Sequence, residues 1–195
     1  MAVNTKLDPK EVGKSNNSND YLNDLKDLNE LKFKVIGDVQ VGFQYFQNAT
    51  KEDGTPGAFP VRTELPPEEV IDPFVSKYGA SKPSQFMAMA IYDYSDNRIK
   101  LWTVTKKTII GTLMAVELDE DLGEIQDYDF KVKKTGAGME TEYEVLRLEK
   151  SEVTPAMQEK YDNAHINMQD FMDGVGGIGE KKEAKEAEPS EDQPF

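Results

Sequence analysis

The sequence predicts a mainly β fold, a small curved barrel of five strands with added helices and disordered termini. Three stretches lead there. Residues 86–111 (FMAMAIYDYSDNRIKLWTVTKKTIIG) hold two β-prone runs around the turn residues Ser95, Asp96 and Asn97. Residues 32–47 (KFKVIGDVQVGFQYFQ) alternate along one long strand, interrupted at Gly37-Asp38 by the kink that tight curvature needs. Residues 128–135 (YDFKVKKT) and 141–148 (TEYEVLRL) make a second hairpin around Gly136-Ala137-Gly138. That Gly-x-Gly lacks the spacing of a phosphate-binding fingerprint and opens no helix.

In the first hairpin, alternation sets Ile99 and Leu101 on one face, and Arg98, Lys100, Trp102 and Lys106 on the other. A face of cations around an indole has two readings. It is a solvated face with one half-buried tryptophan, or a nucleic-acid platform with cations for phosphates and a ring for a base. In the long strand, Val39, Val41, Phe43 and Tyr45 oppose Gln40, Gly42, Gln44 and Phe46. Phe46 on that polar face is either a stacking residue or a lid over the barrel rim. In the second hairpin, Tyr128, Phe130 and Val132 face the core, with Lys131 and Lys133 opposite.

Elsewhere the chain is read as follows. Residues 1–31 form an arm, polar and disordered to Asn19, then a short amphipathic helix carrying Leu22, Leu25, Leu28 and Leu31. Residues 48–83, punctuated by Pro and Gly from Gly54 to Pro83, are a long ordered loop with one or two helical turns near 67–78. A helix is expected over 112–120, followed by an acidic turn without the ligand spacing of a calcium loop. Thr154-Pro155 starts an amphipathic helix over 151–173, with Met157, Tyr161, Ala164, Met168 and Phe171 in one stripe. That stripe packs on the barrel or mediates self-association, and His165 beside it is a boundary residue rather than a ligand. Residues 174–195 are a Gly-rich link and an acidic tail ending in Glu191-Asp192-Gln193-Pro194-Phe195. Such a tip is a random end, or an apolar anchor with two negative charges for a basic partner pocket.

Composition narrows the function classes. The 195 residues contain no cysteine and one histidine, which leaves thiolate zinc sites, cysteine nucleophiles and Ser-His-Asp chemistry little to work with. No apolar run is long enough to span a bilayer. A soluble, intracellular, non-enzymatic protein without cofactor or metal is expected. The net charge of −14 argues at first against nucleic acid. Its distribution argues otherwise, since residues 80–112 carry five cations against two acids, whereas residues 113–129 carry seven acids and no cation. The acidity sits in a connecting loop and the C-terminal third, and screening limits its reach.

Three patches, NRIKLWTVTKKTI (97–109), YDFKVKKTGAGMETEYEV (128–145) and the acidic stretch between them, make residues 32–148 resemble the single-stranded DNA-binding proteins of tailed bacteriophages. The tip EDQPF is similar to the tips of bacterial and phage single-strand binding proteins. The resemblance implies an OB-fold over 32–150 and sequence-independent binding of single-stranded DNA in replication, recombination or repair. It implies the host cytoplasm as location. It also implies recruitment of a polymerase, helicase or recombinase through Pro194 and Phe195, supported by Glu191 and Asp192. Several phage relatives carry a cysteine-ligated zinc insertion in the first half, and this chain, without cysteine, has none. On this reading Trp102, Tyr92, Tyr94 and Phe46 stack on bases, and Arg98, Lys100, Lys106, Lys131 and Lys133 take phosphates. The competing class is an acidic replisome adaptor or DNA mimic that binds no DNA.

Overall fold

The computed structural model describes residues 20–22, 25, 29–51, 53–174 and 177–178. The C-terminal tip, the first 19 residues and most of the leucine-bearing stretch before residue 29 lie outside them. Along the described residues run β1 (Tyr21–Leu22), β2 (Glu30–Thr50), β3 (Pro56–Thr63), β4 (Val75–Ser76), β5 (Gly79–Ala80), β6 (Ser84–Asp93) and β7 (Arg98–Val104). They continue with α1 (Lys107–Glu117), β8 (Tyr128–Thr135), β9 (Glu142–Lys150), α2 (Pro155–Ala164) and α3 (Met168–Met172). No helix among them is long and apolar enough to cross a membrane.

The fold is mainly β, as expected, but the sheet is open. Seven strands form one mixed sheet in the order β1-β7-β6-β2-β8-β9, with β3 added on β2. Only the short β1–β7 pairing is parallel. β2 organises it. One edge pairs β6 from Phe33 to Gln44, while the other takes β8 at Glu30–Lys34 and β3 at Phe43–Thr50. The register shifts between Ile36 and Val39, where Gly37 has a φ of 75°. A side chain there would fall on the Tyr161 hydroxyl of α2, so glycine serves both the kink and the close approach.

Both faces of the central strands are covered. Inside, Phe33 and Val35 of β2, Met89 and Ile91 of β6, Trp102 of β7 and Phe130 of β8 pack against α1. Outside, α2 brings Met157 to Ile36, Tyr92 and Ile99, and α3 brings Phe171 to Phe86, Ala88 and Leu101. Burial of one such side chain is worth roughly 1.5–3 kcal/mol, so α2 and α3 are part of the folded body and not a loose appendage.

A buried cation fastens this outer layer. Lys34 has no exposed surface, and its Nζ donates to the carbonyls of Gln126 and Ser151 at 2.8 and 2.6 Å and to the Ser151 hydroxyl at 3.0 Å. The Ser151 hydroxyl in turn donates to Asp129. Burial lowers the Lys34 pKa, an effect opposed by Asp129 and Asp127. Lys34→Met is expected to lower stability by about 1–3 kcal/mol for each carbonyl left without a donor. Chemical denaturation measures it, and a loss under about 0.5 kcal/mol, the ordinary surface range, would mean that water reaches the site.

Several expectations need correction. Tyr21–Leu22 is strand, not helix, because it pairs along the open edge of β7. Residues 48–83 contain β3 and the β4–β5 hairpin, with no helix among the described residues. Asp53 accepts from the Thr55 amide and hydroxyl and Gly54 has a φ of 80°, which turns the chain back into β3. The two prolines of β3 fit an outer strand, which needs fewer donors. α1 begins at Lys107 rather than 112, with Ile109, Ile110, Leu113 and Val116 buried as one helical face. The C-terminal helix breaks at His165, whose φ is 47°, and Asn167 caps a new start by accepting from the amides of Gln169 and Asp170. Its stripe packs on the sheet.

Candidate nucleic-acid interface

Strand alternation set Trp102 opposite Leu101, and that much holds. But the face carrying Trp102 is the interior. The indole is 1% exposed and meets Phe33 edge-on at 5.0 Å. Trp102 therefore offers no surface to a base. Lys100, on the same face, closes the rim of that core with Nζ 2.7 Å from both Asp93 and Asp96. Burial works to raise the Asp93 pKa, but hydrogen bonds from Lys100 and Ser95 outweigh it and hold the carboxyl below the usual range. Burial likewise works to lower the Lys100 pKa, and the two carboxylates raise it.

The other strand residues are similarly engaged. Tyr92 lies under α2, its hydroxyl donating to Asn97 at 3.0 Å, with Lys160 5.4 Å from its ring centre. Tyr94 donates to Asp129 at 2.9 Å and has Lys32 4.4 Å from its ring centre. Burial and the neighbouring carboxylate raise its pKa. Arg98 pairs with Asp20 at 3.0 Å and Lys131 with Glu30 at 2.7 Å. Lys133 stands opposite Glu144 on β9 and Glu30 on β2. Tyr92, Arg98, Lys100, Lys131 and Lys133 thus do not form the free cationic platform that the alternation implied. Cross-strand partners consume the charge.

Two of the expected residues are free to act. Phe46 is 42% exposed, and Lys106 is exposed beside Tyr143, 5.8 Å from its ring centre. Phe46 belongs to a second surface that the strand patterns did not disclose. Of the exposed large hydrophobics among the described residues, Phe46 lies near the end of β2, Leu65, Ile71, Val75 and Tyr78 fall between β2 and β6, and only Leu118 lies elsewhere. The β4–β5 hairpin carries Lys77 and Tyr78 at its tip. Tyr78 is 87% exposed, and the Lys77 ammonium sits 4.9 Å from its ring centre.

The hairpin is fixed, not loose. The Phe74 amide donates to the Phe46 carbonyl and the Ser81 amide to the Phe74 carbonyl, both at 2.8 Å. The Phe46 amide donates to the Ser81 hydroxyl at 2.8 Å, and Asn48 bonds Asp72 through backbone and side chain. The base of the hairpin is therefore tied to the strand that carries Phe46. Gly79, with a φ of 102°, takes the position after the tip that other residues rarely adopt. Lys51, Lys77 and Lys82 are exposed, and none has a carboxylate within ion-pair distance among the described residues. One sequence signal was available for this surface. From Pro73 to Tyr92 the chain holds two lysines and no acid, a long interval in a protein of net charge −14.

Exposed rings and exposed ammonium groups on one segment can stack on bases and neutralise phosphates, without reading a sequence. The partner residues expected at the tip, Glu191, Asp192, Pro194 and Phe195, lie outside the described residues. Comparison with family models, with curated proteins and with solved structures found no match to this chain.

Proposed function

We propose that this protein binds single-stranded DNA without regard to sequence, and that it serves phage replication, recombination or repair. The observation that carries the reading is the exposure of Phe46 and Tyr78, the latter with Lys77 at its ring, on a segment that also exposes Lys51 and Lys82. Strand order supports it. A long kinked β2 leads through a meander to β7, a helix follows, and the β8–β9 hairpin returns to pair β2. The order is, on this reading, that of an OB-type arrangement left open at its last seam, with an excursion after its first strand. On this reading the excursion replaces the strand face as the contact surface, and the C-terminal tip recruits replication or recombination proteins.

Exposed Asp119, Glu120, Asp121 and Glu124 after α1 favour the second reading, an acidic adaptor or DNA mimic. Anisotropy of a labelled dT oligonucleotide separates the two. Binding is expected, with Lys51, Lys77, Lys82 and Lys106 as the main contributors. At about 0.7 per phosphate neutralised, log affinity then falls against log salt with a slope of roughly −3. Trp102 emission is expected to stay nearly constant, because the indole is in the core. Absence of binding at low salt, with the acidic tail removed, leaves the adaptor reading.

A further inference from the structure

Arg62 sits between β3 and α3, and its neighbours do not account for its charge. One guanidinium N–H donates to the Phe171 carbonyl at 2.7 Å, and the guanidinium carbon lies 3.8 Å from the Phe171 ring centre. Its Nε has no acceptor, and no carboxylate among the described residues reaches ion-pair distance. Burial lowers its pKa to about 10. A half-buried guanidinium whose Nε is sealed from water calls for an acceptor or a counter-charge.

The guanidinium borders a cavity of about 280 Å³ lined by Gln40, Thr63, Met168 and Met172, with Glu64 and Asp173 exposed at its edge. Its place in the sheet matters. Arg62 pairs with Gln44, and Phe46 with Pro60, so by alternation Gln40, Gln44, Phe46 and Arg62 share one face. The cavity therefore opens on the face that carries the exposed Phe46 ring.

We propose that this cavity holds one nucleotide of a bound strand, its phosphodiester on the Arg62 guanidinium and its base against Met168 and Met172. The assignment rests on the single-strand reading and extends it by a defined subsite. A planar guanidinium matches phosphate oxygens with paired donors. Glu64 and Asp173 at the edge disfavour a doubly charged phosphomonoester and tolerate a singly charged diester. Two thioethers make a polarizable wall that accepts any base face, and the Gln40 amide offers both a donor and an acceptor to a base edge. The volume is near the lower end of ligand sites, about 300 Å³, which suits one nucleotide.

Methyl NMR of the full chain with labelled methionines tests this, using the dinucleotide TpT and a long dT oligonucleotide as probes. Both are expected to shift the Met168 and Met172 methyls. Gln40→Glu sets a carboxylate toward the site without removing the Arg62–Phe171 contact, and is expected to weaken TpT binding by about tenfold or more. Arg62→Lys keeps the charge but loses the planar fork, and is expected to weaken it as well. If the oligonucleotide binds while both methyls stay still and Gln40→Glu has no effect, the subsite is overturned and single-strand binding stands. If TpT moves the methyls but the oligonucleotide does not bind, the nucleotide site stands and the single-strand reading falls. If neither probe binds, both fall.

Discussion

Asp93→Ala is expected to lower folding stability by about 1.5–3 kcal/mol, the range for hydrogen bonds to a charged group, because Lys100 keeps its second carboxylate at Asp96. Asp93 is fully buried, and its Oδ1 accepts from the Ser95 amide and hydroxyl at 2.8 and 2.7 Å. Its Oδ2 takes Lys100 at 2.7 Å. One carboxylate thus closes the β6–β7 turn and neutralises the cation at the rim of the main core. Alanine takes the acceptor from the Ser95 amide and hydroxyl and leaves Lys100 with Asp96 alone, whereas Asp93→Asn keeps the shape and one acceptor oxygen, so it should cost less. The pH dependence follows from the directions of the two shifts. Asp93 titrates lower in the folded state than in the unfolded chain, so its contribution is present above about pH 4, the unfolded value, and fades as pH falls through the folded one. Lys100 titrates higher when folded, so its contribution is full below the unfolded value near pH 10 and fades as pH rises through the folded one. Urea midpoints across that range measure both limbs. An Asp93→Asn acid limb as steep as the wild type's would show that other carboxylates set the acid sensitivity.

The sheet was legible where one residue in two was apolar. β6, β7, β8 and β9 emerged from alternation and turn residues, and so did the kink at Gly37, because these signals are local. Alternation says which side chains share a face, but not what covers it. The face bearing Lys100 and Trp102 read as a solvated platform, yet it is the main interior. The opposite face lies beneath α2 and α3. Covering both faces takes contacts between segments more than 60 residues apart, such as Phe171 against Phe86 at 6.1 Å, and no local pattern encodes those. The same holds for β3. Its prolines and glycine marked a loop, and only pairing with the far half of β2 makes it a strand. The start of α1 was missed because Thr108, Ile109 and Ile110 are β-branched, and tertiary packing of Ile109 and Ile110 overrides that preference.

For the candidate site, residue type was legible and availability was not. A lysine on a strand looks the same in sequence whether a glutamate stands across from it or not. Lys131, Lys100 and Arg98 each found a carboxylate, while Lys77 and Lys82 lie in an interval that holds none. Segment sums that began at Ala80 split this interval, and a window from Pro73 would have directed attention to the 73–92 stretch.

Phe46→Ala and Tyr78→Ala are each expected to cost about 1–3 kcal/mol in dT oligonucleotide binding, the range for one lost base stack. That is roughly a 5–150-fold rise in Kd at fixed salt. Together they should bring affinity close to what the lysines supply alone, because a stack and a phosphate contact act on different parts of the strand. Neither change should unfold the protein, since both rings project from the surface. Lys77→Gln instead should flatten the salt slope by about 0.7, the share of one neutralised phosphate. Tyr92→Phe is the control. It removes only the bond to Asn97 beneath α2, so affinity should stay within the error of the titration. Suppose instead that Tyr92→Phe weakens binding, that Trp102 emission follows it, and that Phe46 and Tyr78 prove silent. The strand then contacts β6 and β7 themselves, and α2 must leave them when DNA binds. Displacing α2 exposes Met157, Ile36 and Ile99, at roughly 1.5–3 kcal/mol per side chain, and binding would then weaken as the fold is stabilised. The surface reading carries no such coupling, so affinity measured across variants of graded stability separates the two.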